Sequence, residues 1–222
     1  MNAAMGDRKT PGAPRGPNAQ RRAATRAKIL DAGVRCLAEF GYAATSTPLV
    51  AKMAKVSRGS LLHQFPTKVD LILAVAAHAS RSQGAFVVGE LGERTGRERF
   101  VGGVEAVWKS LQRPEAVALM ELTLAARTDP ELAERYPTFA HDVDASRHRS
   151  RRRMAEGLGA PERVEEIDAL AHLTLAALRG LAMETVFIGQ PTEEAVRVVE
   201  LLIQLRNRMA DEVAAAGATP QG

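Results

Sequence analysis

Residues 41–71 read GYAATSTPLVAKMAKVSRGSLLHQFPTKVDL, and the punctuation of this stretch predicts two short helices meeting at a tight turn. Thr45, Ser46 and Thr47 place hydroxyls where they can cap orphan N–H groups, and Pro48 is tolerated in a first turn, so a helix runs to about Ala54. Lys55, Val56 and Ser57 are too few for anything but a sharp turn. Ser57 is placed to cap a second helix, Arg58 to Gln64, which Pro66 ends. Val50, Met53, Val56, Leu61 and Phe65 supply a small shared core. The unit is a helix-turn-helix.

Working outward, Ile29, Leu30, Gly33, Leu37 and Phe40 recur at spacings of three and four and predict a helix from Arg21 that Gly41 stops. Thr67 with Asp70 three residues on forms a capping-box pattern for a longer helix, Lys68 to about Ser82. Residues 1–20 are rich in Pro, Gly and basic side chains without apolar periodicity, which predicts a disordered basic arm. Beyond residue 85 the pattern predicts a loose segment from Gly92 to Gly103. Helices are then expected over Val104 to Leu111, Pro114 to Arg127, Pro130 to Tyr136, Thr138 to Glu156, Pro161 to Ile188 and Thr192 to about Ala215. Gly189, Gln190 and Pro191 leave only a tight link, so the last two helices pair as an antiparallel hairpin.

The composition agrees with an all-α fold: 45% of the 222 residues are apolar, only 4% are aromatic, and β-branched runs are few. The expected organisation is the arm (1–20), the helix-turn-helix domain (21–66), a connecting helix (67–84), a helical body for effector binding and dimerisation (85–216) and a flexible tail (217–222). Charge divides along the same line. Residues 1–80 carry twelve Lys and Arg against four acids, a net of +8; the totals of 30 and 26 leave eighteen against 22 for the remainder, a net of −4. A basic head on an acidic body suits a nucleic-acid partner, because neutralised phosphates release condensed counterions. Charge alone does not separate DNA from RNA or from an anionic membrane. No stretch of about 20 uninterrupted apolar residues and no secretory core is present, so the expected location is the cytoplasm. The single Cys36 falls among apolar helix positions and reads as a small buried residue.

Gly41-Tyr42, Thr45-Ser46-Thr47, Val50-Ala51, Ala54, Val56 to Leu61, Phe65 to Lys68 and Asp70-Leu71, in fixed register, resemble the DNA-binding domain of the TetR family of bacterial repressors. The resemblance covers residues 26 to about 75. It implies a dimer that reads DNA with the second helix of the motif, in a body whose last two helices form the interface and whose middle holds a ligand pocket. The residue types fit. Arg58 can donate a bidentate pair to guanine, Ser60 can bond base edges, and Gly59 lets the backbone approach in a groove about 12 Å wide. Ser46, Thr47, Ser57, His63 and Lys68 suit phosphates on either side, fixing register. Two positions depart from the family pattern. Leu62 stands where a tyrosine hydroxyl usually supports a backbone contact, and Lys55 replaces the usual turn glycine, so it must adopt a turn conformation without glycine's freedom.

The body carries no comparably specific motif. Trp108, Met120, Glu121, Leu124, Phe139, His172, Met183 and Phe187 are the candidate pocket residues, for a small and largely apolar effector. Leu173, Ala177, Gly180, Leu181, Val198, Leu202, Leu205 and Met209 are the candidate dimer interface. No catalytic, cofactor or metal constellation is expected: there is no HExxH, no phosphate-cradling glycine loop and no GxSxG elbow. His141-Asp142-Val143-Asp144 fits no standard ligand set on one helical face. The arginines from Arg147 to Arg153 read as an exposed helix face. The expected function is therefore a ligand-responsive repressor of a palindromic operator. A helical protein-interaction adaptor, or an activator of the same fold, is the alternative.

Overall fold

In the computed structural model, the described residues are 16–217, with the side chains of Pro17 and Phe187 left aside. Most of the expected arm (1–15) and the end of the expected tail (218–222) lie outside the described residues. Among the described residues the chain is helical throughout: α1 (Pro17–Ala44), α2 (Thr47–Ala54), α3 (Arg58–Gln64), α4 (Lys68–Leu91), α5 (Gly96–Leu111), α6 (Pro114–Ala125), α7 (Pro130–Leu158), α8 (Val164–Ile188) and α9 (Glu193–Gly217), with one 3₁₀ turn at Pro161–Arg163.

Several boundaries differ from the expected ones, each for a local reason. Pro17 presets the first turn of α1, four residues before the expected start at Arg21. Gly41 kinks α1 rather than ending it: its φ of 73° breaks the helical path, yet a further turn follows to Ala44. The expected stop of α4 near Ser82 contains no breaker, and the helix continues until Gly92 takes φ 53°. Gly102 and Gly103 lie inside α5 instead of a loose segment, and a Cβ on Gly103 would stand 2.9 Å from the Arg206 guanidinium that packs there. Pro137 sits within α7, which joins the two helices expected on either side of it.

The head shares its core with the body. Ile29, Leu37, Val50, Leu61, Phe65, Leu71, Ile72 and Val75 form one buried cluster, and Ala118 and Leu122 of α6 and Leu132 of α7 belong to it. Cys36 is fully buried in this cluster, its sulfur 3.1 Å from Met53 Sδ, and burial pushes its thiol up. Phe40, expected on the buried face, is 49% exposed. Gly33 lets α1 close on α4: a Cβ there would come 2.3 Å from Val75 Cγ2. By length and composition α4 would suffice to cross a membrane, but its Val69, Leu71, Ile72, Val75, Ala76 and Ala79 are buried in this core.

Two further clusters build the body. Val104, Leu111 and Ala116 meet Leu178, Ala182, Val199 and Leu202; at the other end Phe100 and Ala155 meet Ile167 and Ala210. The start of α8 therefore lies beside the end of α9, the antiparallel hairpin expected, closed by Gly189 in a left-handed cap. Leu202, a candidate for the dimer interface, is only 4% exposed and belongs to the protomer's own core. Val198, Leu205 and Ala177 are half-buried at the edge of that cluster, Leu181 with them, and Met209 packs on the far cluster. The apolar surface left outside on these two helices is carried by Leu173, Met183, Val186 and Ile188 on α8 and by Val196 and Leu201 on α9, with Gly180 exposed on α8.

Candidate nucleic-acid interface

The turn between α2 and α3 is built by Lys55. Its φ of 55° and ψ of 43° place it in the left-handed region, the only non-glycine residue there among those described, and its N–H returns to the carbonyls of Ala51 and Lys52. Such a conformation costs an L-residue roughly 1–2 kcal/mol. It is held by what flanks it, because Ala51 and Ala54 on one side and Leu61 on the other are buried in the common core.

Each short helix begins on a hydroxyl. Ser46 Oγ accepts from Leu49 N–H at 3.4 Å, and Ser57 Oγ accepts from Ser60 N–H at 3.1 Å. Buried Leu61 anchors α3 while the opposite face turns out: Ser57, Arg58, Gly59 and His63 are exposed and Ser60 is half-buried. Arg58 makes no hydrogen bond or ion pair among the described residues. Gly59 is not explained by the protein itself. It does not adopt a positive φ, and a Cβ built on it meets nothing within 4 Å, although glycine inside a helix costs about 0.5–1 kcal/mol relative to alanine. A bare backbone beside a free arginine on a short exposed rod is the form that a groove-reading helix needs.

Among the residues expected at phosphates, Ser46 is exposed and Thr47 half-buried at the start of α2. Lys68 is engaged differently. Its ammonium donates to the Tyr42 carbonyl at 3.0 Å and lies 4.1 Å from the Tyr42 ring centroid, and burial lowers its pKa. It ties the end of α1 to the start of α4, leaving two ammonium hydrogens for any outside acceptor. The capping box at Thr67 and Asp70 forms in both directions, at 3.0 and 3.1 Å.

Tyr42, prominent in the motif, is the joint between head and body. Its N–H donates to Glu121 Oε2 of α6 at 3.0 Å, and its hydroxyl donates to Asp129 Oδ2, at the cap of α7, at 2.5 Å. Burial and that bond raise the phenol well above its usual range. Arg135 of α7 pairs with Asp70 at 2.9 Å nearby. Sequence reasoning missed Asp129 and Arg135, whose partners lie 87 and 65 positions away, and assigned Glu121 to a ligand pocket.

The pocket candidates separate. Met120, Leu124 and Met183 line one cavity of about 200 Å³ between α4, α5, α6 and α8. Trp108 instead packs in the body core, Phe139 packs beside Tyr136 against the head cluster, Glu121 holds Tyr42, and His172 is exposed on α8 beside Asp168. The Phe187 side chain lies outside the described residues. Arg179, Gln83 and Thr123 also line the cavity; an arginine set within the apolar run Leu178 to Met183 was the signal for the first of these.

Comparison with known proteins bears on this geometry. Residues 29–75 match the family model described as bacterial regulatory proteins, tetR family. An uncharacterised HTH-type transcriptional regulator of Mycobacterium tuberculosis is 27% identical over 180 residues, 81% of this chain and 91% of that protein. The HTH-type transcriptional repressor AcnR of Corynebacterium diphtheriae is 28% identical over 181 residues, 80% of this chain and 88% of AcnR. A TetR family transcription regulator from Marinobacter aquaeolei shares the fold, with TM-score 0.56 at 20% identity over 84% of this chain and 95% of that one. The multidrug binding protein EbrR, solved with imidazole, has TM-score 0.53 at 23% identity, over 82% and 93% respectively.

Proposed function

We propose that this chain, whose residues 29–75 match the model of the tetR family of bacterial regulatory proteins, is a ligand-responsive repressor, binding a palindromic operator as a homodimer in the cytoplasm and released by a small effector. The observation that carries the reading is the front of α3, where exposed, unpaired Arg58 stands beside a glycine that the fold does not require. Arg58 reads a guanine edge, Gly59 admits close approach, and Ser46, Thr47 and His63 set the register on phosphates. AcnR, 28% identical to this chain, is a transcriptional repressor.

Dimerisation is supported by the apolar surface of Leu173, Val196 and Leu201, each at least half exposed in the single chain, with Gly180 permitting close helix approach. Two-fold symmetry then presents two copies of α3 to half-sites about one helical turn apart.

The route from cavity to DNA runs through α6 as well as α4. One face of α6 lines the cavity with Leu119, Met120 and Thr123; the other carries Ala118, Leu122 and Ala125 in the head core and Glu121 on Tyr42 N–H. A ligand that shifts α6 moves the end of α1, and with it α3. Effector and operator then oppose each other by reciprocal linkage, at about 1–3 kcal/mol of coupling. Selection of bound sequences from random duplexes tests the reading: a two-fold symmetric site with half-sites about one turn apart is expected, and no enrichment over the starting pool overturns it.

A further inference from the structure

Arg179 of α8 lines the body cavity among Leu111, Leu119, Met120 and Met183, with Gln83 and Thr123 the other polar residues of the lining. Arg147 of α7 is desolvated near it; burial first, and then repulsion from Arg179 and Arg151, brings its guanidinium down to about 10. Arg151 has counter-ions of its own in Asp168 and Asp144. Arg147 and Arg179 do not: neither makes a hydrogen bond or ion pair among the described residues, and burial lowers Arg179 too. Asp144 is the carboxylate that acts on Arg147, and it is shared with Arg151, so the two half-buried guanidiniums have little counter-charge between them, and an anion held by both offsets part of the cost of burying them.

The size of the space narrows the class. An apolar cavity of about 150 Å³ holds benzene, so about 200 Å³ accommodates one ring, or a short branched chain, with one small planar group. The fork of a guanidinium matches a carboxylate with two parallel donors. We infer that the cavity binds a small monocarboxylate with an apolar body of about one ring, its carboxylate held by Arg179 and its charge balanced by Arg147, an inference that rests on the reading of the body as the effector-binding part.

Calorimetric titration of the intact protein with benzoate, cyclohexanecarboxylate and hexanoate, each beside its neutral amide, tests it. At least one acid is expected to bind, about tenfold or more tightly than its amide, with inorganic phosphate failing to compete. Arg179→Gln is expected to lose that preference and Arg179→Lys to retain part of it, with circular dichroism and melting reporting that both remain folded. The amide comparison needs no variant. Equal affinity for acid and amide, competition by phosphate alone, or no binding by any of the three acids overturns the inference. Operator release is read separately. An acid that binds through Arg179 without releasing DNA upholds the anion site and refutes the effector reading, whereas release by the amide as readily as by the acid does the reverse.

Discussion

The Tyr42 hydroxyl donates to the Asp129 carboxylate at 2.5 Å, joining the last turn of the first head helix to the residue that caps the longest helix of the body. Asp129 accepts from Leu132 N–H at 3.0 Å with its other oxygen, so one carboxylate starts α7 and holds the head. A hydrogen bond to a charged group contributes about 1.5–3 kcal/mol. Tyr42→Phe is therefore expected to lower stability in urea titration by that order at neutral pH, and to weaken the effect of any effector on DNA binding.

The same joint is acid-sensitive. The bonds from Tyr42 and then from Leu132 hold Asp129 below the usual carboxylate range, and Arg135 first among its partners does the same for Asp70. A carboxyl lowered in the folded state stabilises fully above its unfolded value, about 3.9, and that contribution is lost as pH falls through the lower folded value. The destabilisation caused by Tyr42→Phe is expected to be constant from pH 7 to about 5 and to shrink below about 4; a gap unchanged in acid would show that Asp129 is not the acceptor that matters.

Gly59→Ala separates stability from binding. With no atom within 4 Å of the added methyl, the variant should be more stable by about 0.5–1 kcal/mol. It should nevertheless bind its operator more weakly, because the methyl stands where the backbone meets DNA. A melting curve and a titration on the same preparation check both signs.

Lys55→Gly relieves the left-handed turn. Set against the entropy of glycine, the gain should be up to about 1 kcal/mol. If the Lys55 ammonium meets a phosphate, the slope of log K against log salt should fall by about 0.9; an unchanged slope places Lys55 off the DNA.

Gly33→Ala should act in the opposite direction. The methyl would overlap Val75 Cγ2 at 2.3 Å, and overpacking of this kind costs roughly 1–3 kcal/mol. Val75→Ala in the same chain should recover part of the loss, as read by the urea midpoint.

The head was legible because its signals are local. Ser46, Ser57 and Thr67 cap their helices within three residues, Pro48 sits at a helix start, and Pro66 follows the end of α3. Lys55 could be read as a strained turn for the same reason. What escaped depends on distance. Pro137 does not break α7 and Gly103 does not break α5, because packing against other helices outweighs a single weak residue; Arg206, lying against Gly103, is anchored on Phe100 O. Apolar periodicity named the buried stripes of the body but not their neighbours. Leu202 turned into its own core, Glu121 and Phe139 faced the head, and Arg179 reached the cavity, since which face of a helix meets which partner is a property of the assembled fold.

The most direct measurement is the affinity of Arg58→Ala for the selected operator and for a duplex with the guanine of each half-site replaced. If α3 reads that base, the variant should lose about 1–3 kcal/mol on the operator and bind both duplexes alike, with its salt dependence nearly unchanged. A variant that still prefers the operator by the full margin, or that weakens on both duplexes equally, would contradict the assignment of base reading to Arg58.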